Sequence, residues 1–583
     1  MPRLTGMEIS STKAWRRAQR RGAVIALLLP VAACASTRDG GNNAAVVPQS
    51  ALGSYLAARH AQIERDYGKA GQFLDHALAT DSNNYDLIRR AFFLKLSEGR
   101  IEDAVPLAQR VVEIDGNSGL AALVILEQHI KAGRYDAAVE EATAIPRDGA
   151  QRFAVPLMQA WAEAGRGRPA PALQTLDVVG GTNGLQPLRD LHAALIDDYA
   201  DRVDDAATAY DKIVGAGQPA TWRVTELAGN FLERHGRAAE ARQLYLRSAN
   251  QPGLAEMAAV SIARVDAGTV PPRLIISPAD GAAEGLFDLA GLLNQRDTSD
   301  AALIYARLAL DLSPKFALAQ LLIGEIRGAE DRSAEALAIY QSVDPSSPFH
   351  WMARLRAALE LDALGRTDEA VAELKAMAAE RPSRPEPLVE LGDILRAHKR
   401  FSEASTAYDG AIARTPDPKS GDWRLFYSRG VALERSGLWL RAEADLRYAL
   451  QLQPDQPLVL NYLGYSWIDK GQNLTDALGM IQRAVQLRPN DGYIVDSLGW
   501  AYFRIGDYPQ ATRYLERAIE LLPEDPTIND HLGDAYWRSG RVAEARFQWR
   551  RALQFQPEAE EVKGIQGKLD HGLGVVPETV SGG

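Results

Sequence analysis

GYIVDSLGWAYFRIGDYPQATRYLERAIELLP, from Gly492 to Pro523, carries a plan that the segments on both sides repeat. Its first half sets Ile494, Leu498, Tyr502 and Ile505 on one stripe, and its second half sets Ala511, Leu515, Ala518, Ile519 and Leu522. That is the i, i+3, i+4 spacing of two amphipathic helices, with Gly506 between them. Pro523 ends the second helix, because proline lacks a donor N–H and its ring clashes with the preceding turn. Gly499, Ala511 and Ala518 fall where two helix axes must come close. The closing prolines recur at Pro314, Pro348, Pro382, Pro416, Pro454, Pro489, Pro523 and Pro557, in steps of 34, 34, 34, 38, 35, 34 and 34 residues. The small residues that open each second helix keep the same steps: Ala302, Ala336, Ala370, Ala404, Ala442, Ala477, Ala511 and Ala545. A fixed period of this length marks a helical repeat array. A single hairpin cannot bury its apolar stripe, so neighbours must stack.

The order leucine–glycine, tyrosine, alanine, aromatic, alanine, proline at this period resembles the tetratricopeptide repeat, a helix-turn-helix unit, and eight consecutive units match it. The resemblance implies an all-α fold, a right-handed superhelical solenoid, with the first helix of each unit lining the concave face. A second, more divergent array precedes it, between residues 51 and 265. Ala70, Ala104 and Ala138 stand 34 apart, and Gly229, Gly236, Ala241 and Tyr245 repeat the small, turn, small, aromatic order. Between Pro146 and Pro187 the period is lost to view. VPPRLIISPAD, Val270 to Asp280, forbids a continuous helix, so residues 266–282 are expected to be a Pro-rich linker. The regular array then covers 283–570, and 571–583 is read as a disordered tail.

The first 33 residues read as an address. Lys13, Arg16, Arg17, Arg20 and Arg21 make a basic region, GAVIALLLP from Gly22 to Pro30 an apolar one, and VAAC ends at Cys34, the layout of a secretory signal. The apolar run is too short to span a bilayer as a stable helix. The ending resembles the lipobox of bacterial lipoproteins, which implies acylation of Cys34, the one cysteine in the chain. Ala35 is not the aspartate associated with inner-membrane retention, so the expectation is the outer membrane, facing the periplasm. Residues 34–50, with ASTRDGGNNAAVVPQS after Cys34, suit a flexible tether.

The composition, 46% hydrophobic and 24% charged, is that of an ordinary globular chain, and 583 residues exceed what one compact core supports. A net charge of −11 argues against a nucleic-acid partner. The nine histidines show no HExxH pair, and there is no GxSxG elbow or GxxxxGK[ST] loop. The expectation is a protein without catalytic residues, cofactor or metal.

The inner wall remains. Aligned on Gly430, Gly464, Gly499 and Gly533, the wall positions are Tyr427, Asn461, Tyr465, Asp496, Trp500, Phe503, Asp530 and Trp537. Aromatics beside carboxamides and carboxylates suit a peptide groove, anchors next to groups that hold backbone amides. The same aromatics also suit packing between repeats. The features together resemble the outer-membrane lipoproteins that act as adaptors for periplasmic carboxyl-terminal processing proteases. The resemblance is carried by the lipobox, GSYLAARHA at Gly53 to Ala61, and NYLGYSWIDKGQNLTDAL followed by DSLGWAYFRIGDYPQA. It implies a lipid-anchored scaffold that binds a partner enzyme or its protein substrates. The alternative is a component of an outer-membrane secretion, polysaccharide-export or assembly machine.

Overall fold

The computed structural model describes residues 50–574, apart from 65, 216–219, 252–253 and 296–297. The signal segment, the tether with Cys34, and the tail from 575 lie outside the described residues. Thirty α-helices, α1 to α30, follow one another, with one short 3-10 turn before α22 and no strand among the described residues. The chain forms two compact units that meet in sequence at Leu364 and Gly365.

In the N-terminal unit the hairpins are unbroken from Ala51 to Ala249. The first helices are α1 (Ala51–Ile63), α3 (Tyr85–Glu98), α5 (Gly119–Lys131), α7 (Gln151–Gly165), α9 (Gln186–Tyr199) and α11 (Trp222–Arg234). The second helices include α2 (Tyr67–Thr80), α8 (Pro169–Gly180) and α10 (Val203–Gly215). Ala70, Ala104, Ala138, Ala172, Ala206 and Ala241 are all fully buried at the hairpin contacts, in steps of 34, 34, 34, 34 and 35. The period therefore runs straight through the stretch where GRGRPAPA hides it: Arg168 and Pro169 open α8, and Pro169 sits at the start of a helix, where its missing N–H costs nothing.

After α13 (Ala255–Asp266) the Pro-rich stretch is extended and returns along the array. Asn230 donates to the carbonyl of Pro272 at 2.8 Å, and Arg273 pairs with Asp201 at the turn after α9. This segment does not separate two arrays. It delivers α14 (Pro278–Leu293) and α15 (Ser299–Leu312) into the inner wall of the helices before it, where α14 packs on α5, α7 and α9 and α15 packs on α3 and α5. A methyl group on Gly281 would overlap the indole of Trp161 on α7, so only glycine permits the approach. The Trp161 indole donates to His192 on α9 at 3.0 Å, and the other imidazole nitrogen lies 3.3 Å from Asp288 on α14. Arg223 of α11 grips Glu284 of α14, and Lys131 and Gln128 of α5 donate to Asp311 of α15 at 2.8 and 3.1 Å. Both inserted helices are apolar almost all round, the signature of a helix buried on every side. In α15 the run Ala302 to Ala309 is buried without a break.

The C-terminal unit keeps the expected plan. Its first helices are α20 (Glu386–Ala397), α22 (Trp423–Arg435), α24 (Pro457–Lys470), α26 (Gly492–Ile505), α28 (Pro526–Arg538) and the closing α30 (Ala559–His571). Successive first helices touch one another across the intervening second helix, as α24 with α26 and α26 with α28. They therefore form the tight, inner side of the curl. The second helices bury one face only; α27 (Tyr508–Leu521) buries Ala511, Leu515 and Ala518. At Gly499 a Cβ would stand 2.6 Å from Leu515, the close approach that this position demands. Gly506, at φ 88°, closes α26 in the left-handed conformation.

Candidate functional site

The eight residues expected on the groove do sit on the first helices, but most of them face the next repeat. Asn461 on α24 is 1% exposed and donates to Ser497 on α26 at 3.3 Å. One repeat on, Asp496 holds His531 of α28, with both carboxylate oxygens 3.1 Å from Nδ1. One more, and Asp530 accepts from Lys568 of α30 at 2.7 and 2.8 Å. The recurrence of Asn461, Asp496 and Asp530 is thus a ladder: each rung ties its own first helix to the next.

The aromatics follow the same rule. Trp500 is 5% exposed, with its ring stacked at 4.0 Å on His531 and at 4.8 Å on Phe503. Tyr465 is buried as well. The expectation that these face an open groove is corrected here: Asn461, Tyr465, Asp496, Trp500 and Asp530 are inter-repeat packing, because the curl brings neighbouring first helices close enough to cover them. Tyr427, Phe503 and Trp537 stay half-buried. Trp537 lies 5.5 Å from Trp549 on α29 (Val542–Gln554) and against Gly572, so the closing helix covers one side of it.

The electrostatics of the ladder are those of charges taken out of water and paired. Burial pulls His531 toward neutrality, but the charge and hydrogen bond of Asp496, with Asp530 and Asp534 beyond, outweigh it and raise its pKa. Burial pushes Asp534 up to about 6, helped by Asp530 and opposed by Lys568. Asp534 also accepts from the Trp549 indole at 2.9 Å, so every rung toward the C-terminal end is hydrogen-bonded. His531, Asp534 and Lys568 were not singled out in the sequence. The signal was present in their register, since each falls about one repeat after a residue that was. Among the described residues no cluster of three or more His, Cys, Asp or Glu is arranged to hold a metal, and no helix is long and apolar enough to cross a membrane.

Tetratricopeptide-repeat family models match residues 192–255, 363–422, 427–492 and 497–560, and the architecture is an all-α tetratricopeptide-repeat solenoid. A TPR repeat-containing protein of Pseudomonas aeruginosa is 30% identical over 194 residues, 33% of this chain and 32% of that protein. A human protein O-mannosyl-transferase is 30% identical over 168 residues, 29% of this chain and 19% of that protein. The chain thus spans a third or less of the length of these curated relatives. Among solved structures, the APC/C hetero-tetramer Cut9–Hcn1 is 14% identical at a TM-score of 0.38, covering 89% of this chain and 96% of that one. Yeast Tom70 is 13% identical at 0.34, covering 89% and 95%. The repeats make the chain a scaffold for protein–protein interaction.

Proposed function

We propose that the protein is a lipid-anchored scaffold on the periplasmic face of the outer membrane, without catalysis of its own, which gathers a partner enzyme and its protein substrates; a processing protease is the partner class favoured by the sequence resemblance. One observation supports the reading most. Along the inner side of the C-terminal unit, helices pack on their chain neighbours, and the half-buried rings of Tyr427 and Phe503 remain on that side. Half-buried aromatics on a rigid ladder are low-entropy anchors of the kind that dominate protein interfaces. The ladder beneath sets the spacing of the anchors, so a partner meets a preformed wall.

Affinity purification of the acylated chain from membranes, wild type beside Tyr427→Ala/Phe503→Ala, tests this. The expected result is one dominant co-purifying protein that the double variant loses, with the melting temperature nearly unchanged. A partner retained by the variant would place the interface elsewhere. In the same preparation Cys34→Ser should shift the protein out of the membrane fraction, since stable anchoring needs the acyl chains; a membrane-bound Cys34→Ser protein would remove the lipoprotein reading.

A further inference from the structure

Helices α14 and α15 fill the N-terminal inner wall over α5 to α11, but the filling stops short of α1. There a cavity of about 540 Å3 remains, walled by α1, α2, α3, α15 and α16 (Ala317–Ala329). Its size is within the ~300–1,000 Å3 of ligand pockets. Five arginines line it, Arg59, Arg89, Arg90, Arg327 and Arg332, against two carboxylates, Asp300 and Glu330, in a chain whose net charge is −11.

The arginines are not equivalent. Arg327 is 2% exposed and committed to the Ser97 carbonyl and Glu330. Arg332 is tied to Glu335 and lies over the Tyr67 ring at 3.8 Å. Arg59 and Arg90 are exposed, and neither has a carboxylate in ion-pair range among the described residues; Arg90 lies 5.4 Å over the Tyr55 ring. One turn beyond the lining residue Leu303 stands Arg307, 9% exposed, also without an ion pair among the described residues. Burial and the neighbouring Arg327 pull its pKa down to about 10, as expected where positive charge is in excess.

We infer that this cavity binds an extended, acidic peptide segment of a partner protein. The free guanidinium groups of Arg59 and Arg90 take its carboxylates, since charge-assisted pairs with arginine are strong and directional. Tyr55, Phe93, Leu303 and Ile304 take its apolar side chains, with Phe93 exposed at the mouth. Asp300 and Glu330 separate a peptide from a simple anion: carboxylates inside the cavity repel phosphate but accept backbone N–H groups. The site is what remains of a repeat groove that the chain otherwise fills with its own helices. It needs neither the lipid anchor nor the C-terminal wall.

The test uses the chain from Cys34 onward carrying Cys34→Ser, which keeps every described residue. Its probe is a fluorescein-labelled hexapeptide of Leu, Phe and two Asp, read by polarisation. The aspartate peptide should bind, and replacing both Asp by Asn should weaken it by about tenfold or more, as should Arg59→Ala/Arg90→Ala in the protein. Phe503→Ala in the C-terminal unit should leave the affinity unchanged. Equal binding of the two peptides, unchanged binding by the arginine variant, no binding at all, or full displacement by an equal concentration of inorganic phosphate would each overturn the inference.

Discussion

The two units use the same hairpin and treat its inner side in opposite ways. In the N-terminal unit a helix pair from the same chain occupies the wall, and Trp161, His192 and Arg223 on the first helices face Gly281, Asp288 and Glu284 of that pair. In the C-terminal unit no such pair arrives, and first helices bridge to each other through Asn461–Ser497, Asp496–His531 and Asp530–Lys568. A wall that receives a ligand of its own chain can be apolar and glycine-fitted. A wall without one must satisfy its polar groups between repeats, because a buried unpaired charge costs more than the pair contributes.

The sharpest way to break this comparison is to disturb the filled wall. Trp161→Ala removes a fully buried ring at the point where α14 enters, and we expect a loss of about 3–5 kcal/mol, as for other buried aromatics. Chemical denaturation should show it, together with a lower melting temperature. A loss no larger than for a surface residue would mean that α14 does not seal the wall. Trp500→Ala tests the ladder wall in the same way. The ring sits between His531 and Phe503, so its loss should cost about 3 kcal/mol of stability. The half-buried Trp537→Ala should cost about half as much, since less apolar area leaves water there on folding.

Breaking the last rung is smaller and depends on pH. Lys568→Met leaves Asp530 and Asp534 facing each other, so about 2 kcal/mol is expected at pH 8. At pH 5 the loss should shrink, because a carboxyl already raised to about 6 takes up a proton instead of standing unpaired. An equal loss at both values would show that the pair is not electrostatically coupled. The smallest effect belongs to His531. Its folded pKa is raised above the unfolded value near 6.5, so its stabilisation is complete below that value and is lost as pH rises through the folded pKa. His531→Gln should therefore lower the melting temperature at pH 6 by more than at pH 9; a constant difference would contradict the ion pair with Asp496.

The helix hairpins were legible in the sequence because each carries its own punctuation, an alanine at the contact and a proline or glycine at the end. Ala172 and Ala206 kept that count where GRGRPAPA hid it. The position of α14 was harder to see. Its period fits the regular array that follows, and only its apolar character on all faces betrays that it is buried among α5, α7 and α9 rather than half-exposed. The ladder positions were found and their role misjudged, since the sequence gives register along a helix but not the spacing between helices. Whether Trp500 meets solvent or His531 is decided by curvature. The cavity beside α1 had no local motif, because its arginines come from α1, α3 and α16, more than 200 residues apart at the extremes.

The inserted pair α14–α15 also governs how the two units come to be folded. An ordinary solenoid has only nearest-neighbour contacts, so any few hairpins can form first and the rest add on. The hydrogen bond from Gln128 to Asp311 spans 183 residues and that from Arg327 to Ser97 spans 230. As the chain leaves the ribosome, the N-terminal hairpins must wait, with their inner side bare, until α15 has emerged; high contact order of this kind slows closure. The finished N-terminal unit should then open all at once, whereas the C-terminal unit, whose helices pack mainly on chain neighbours, can fray repeat by repeat from α30.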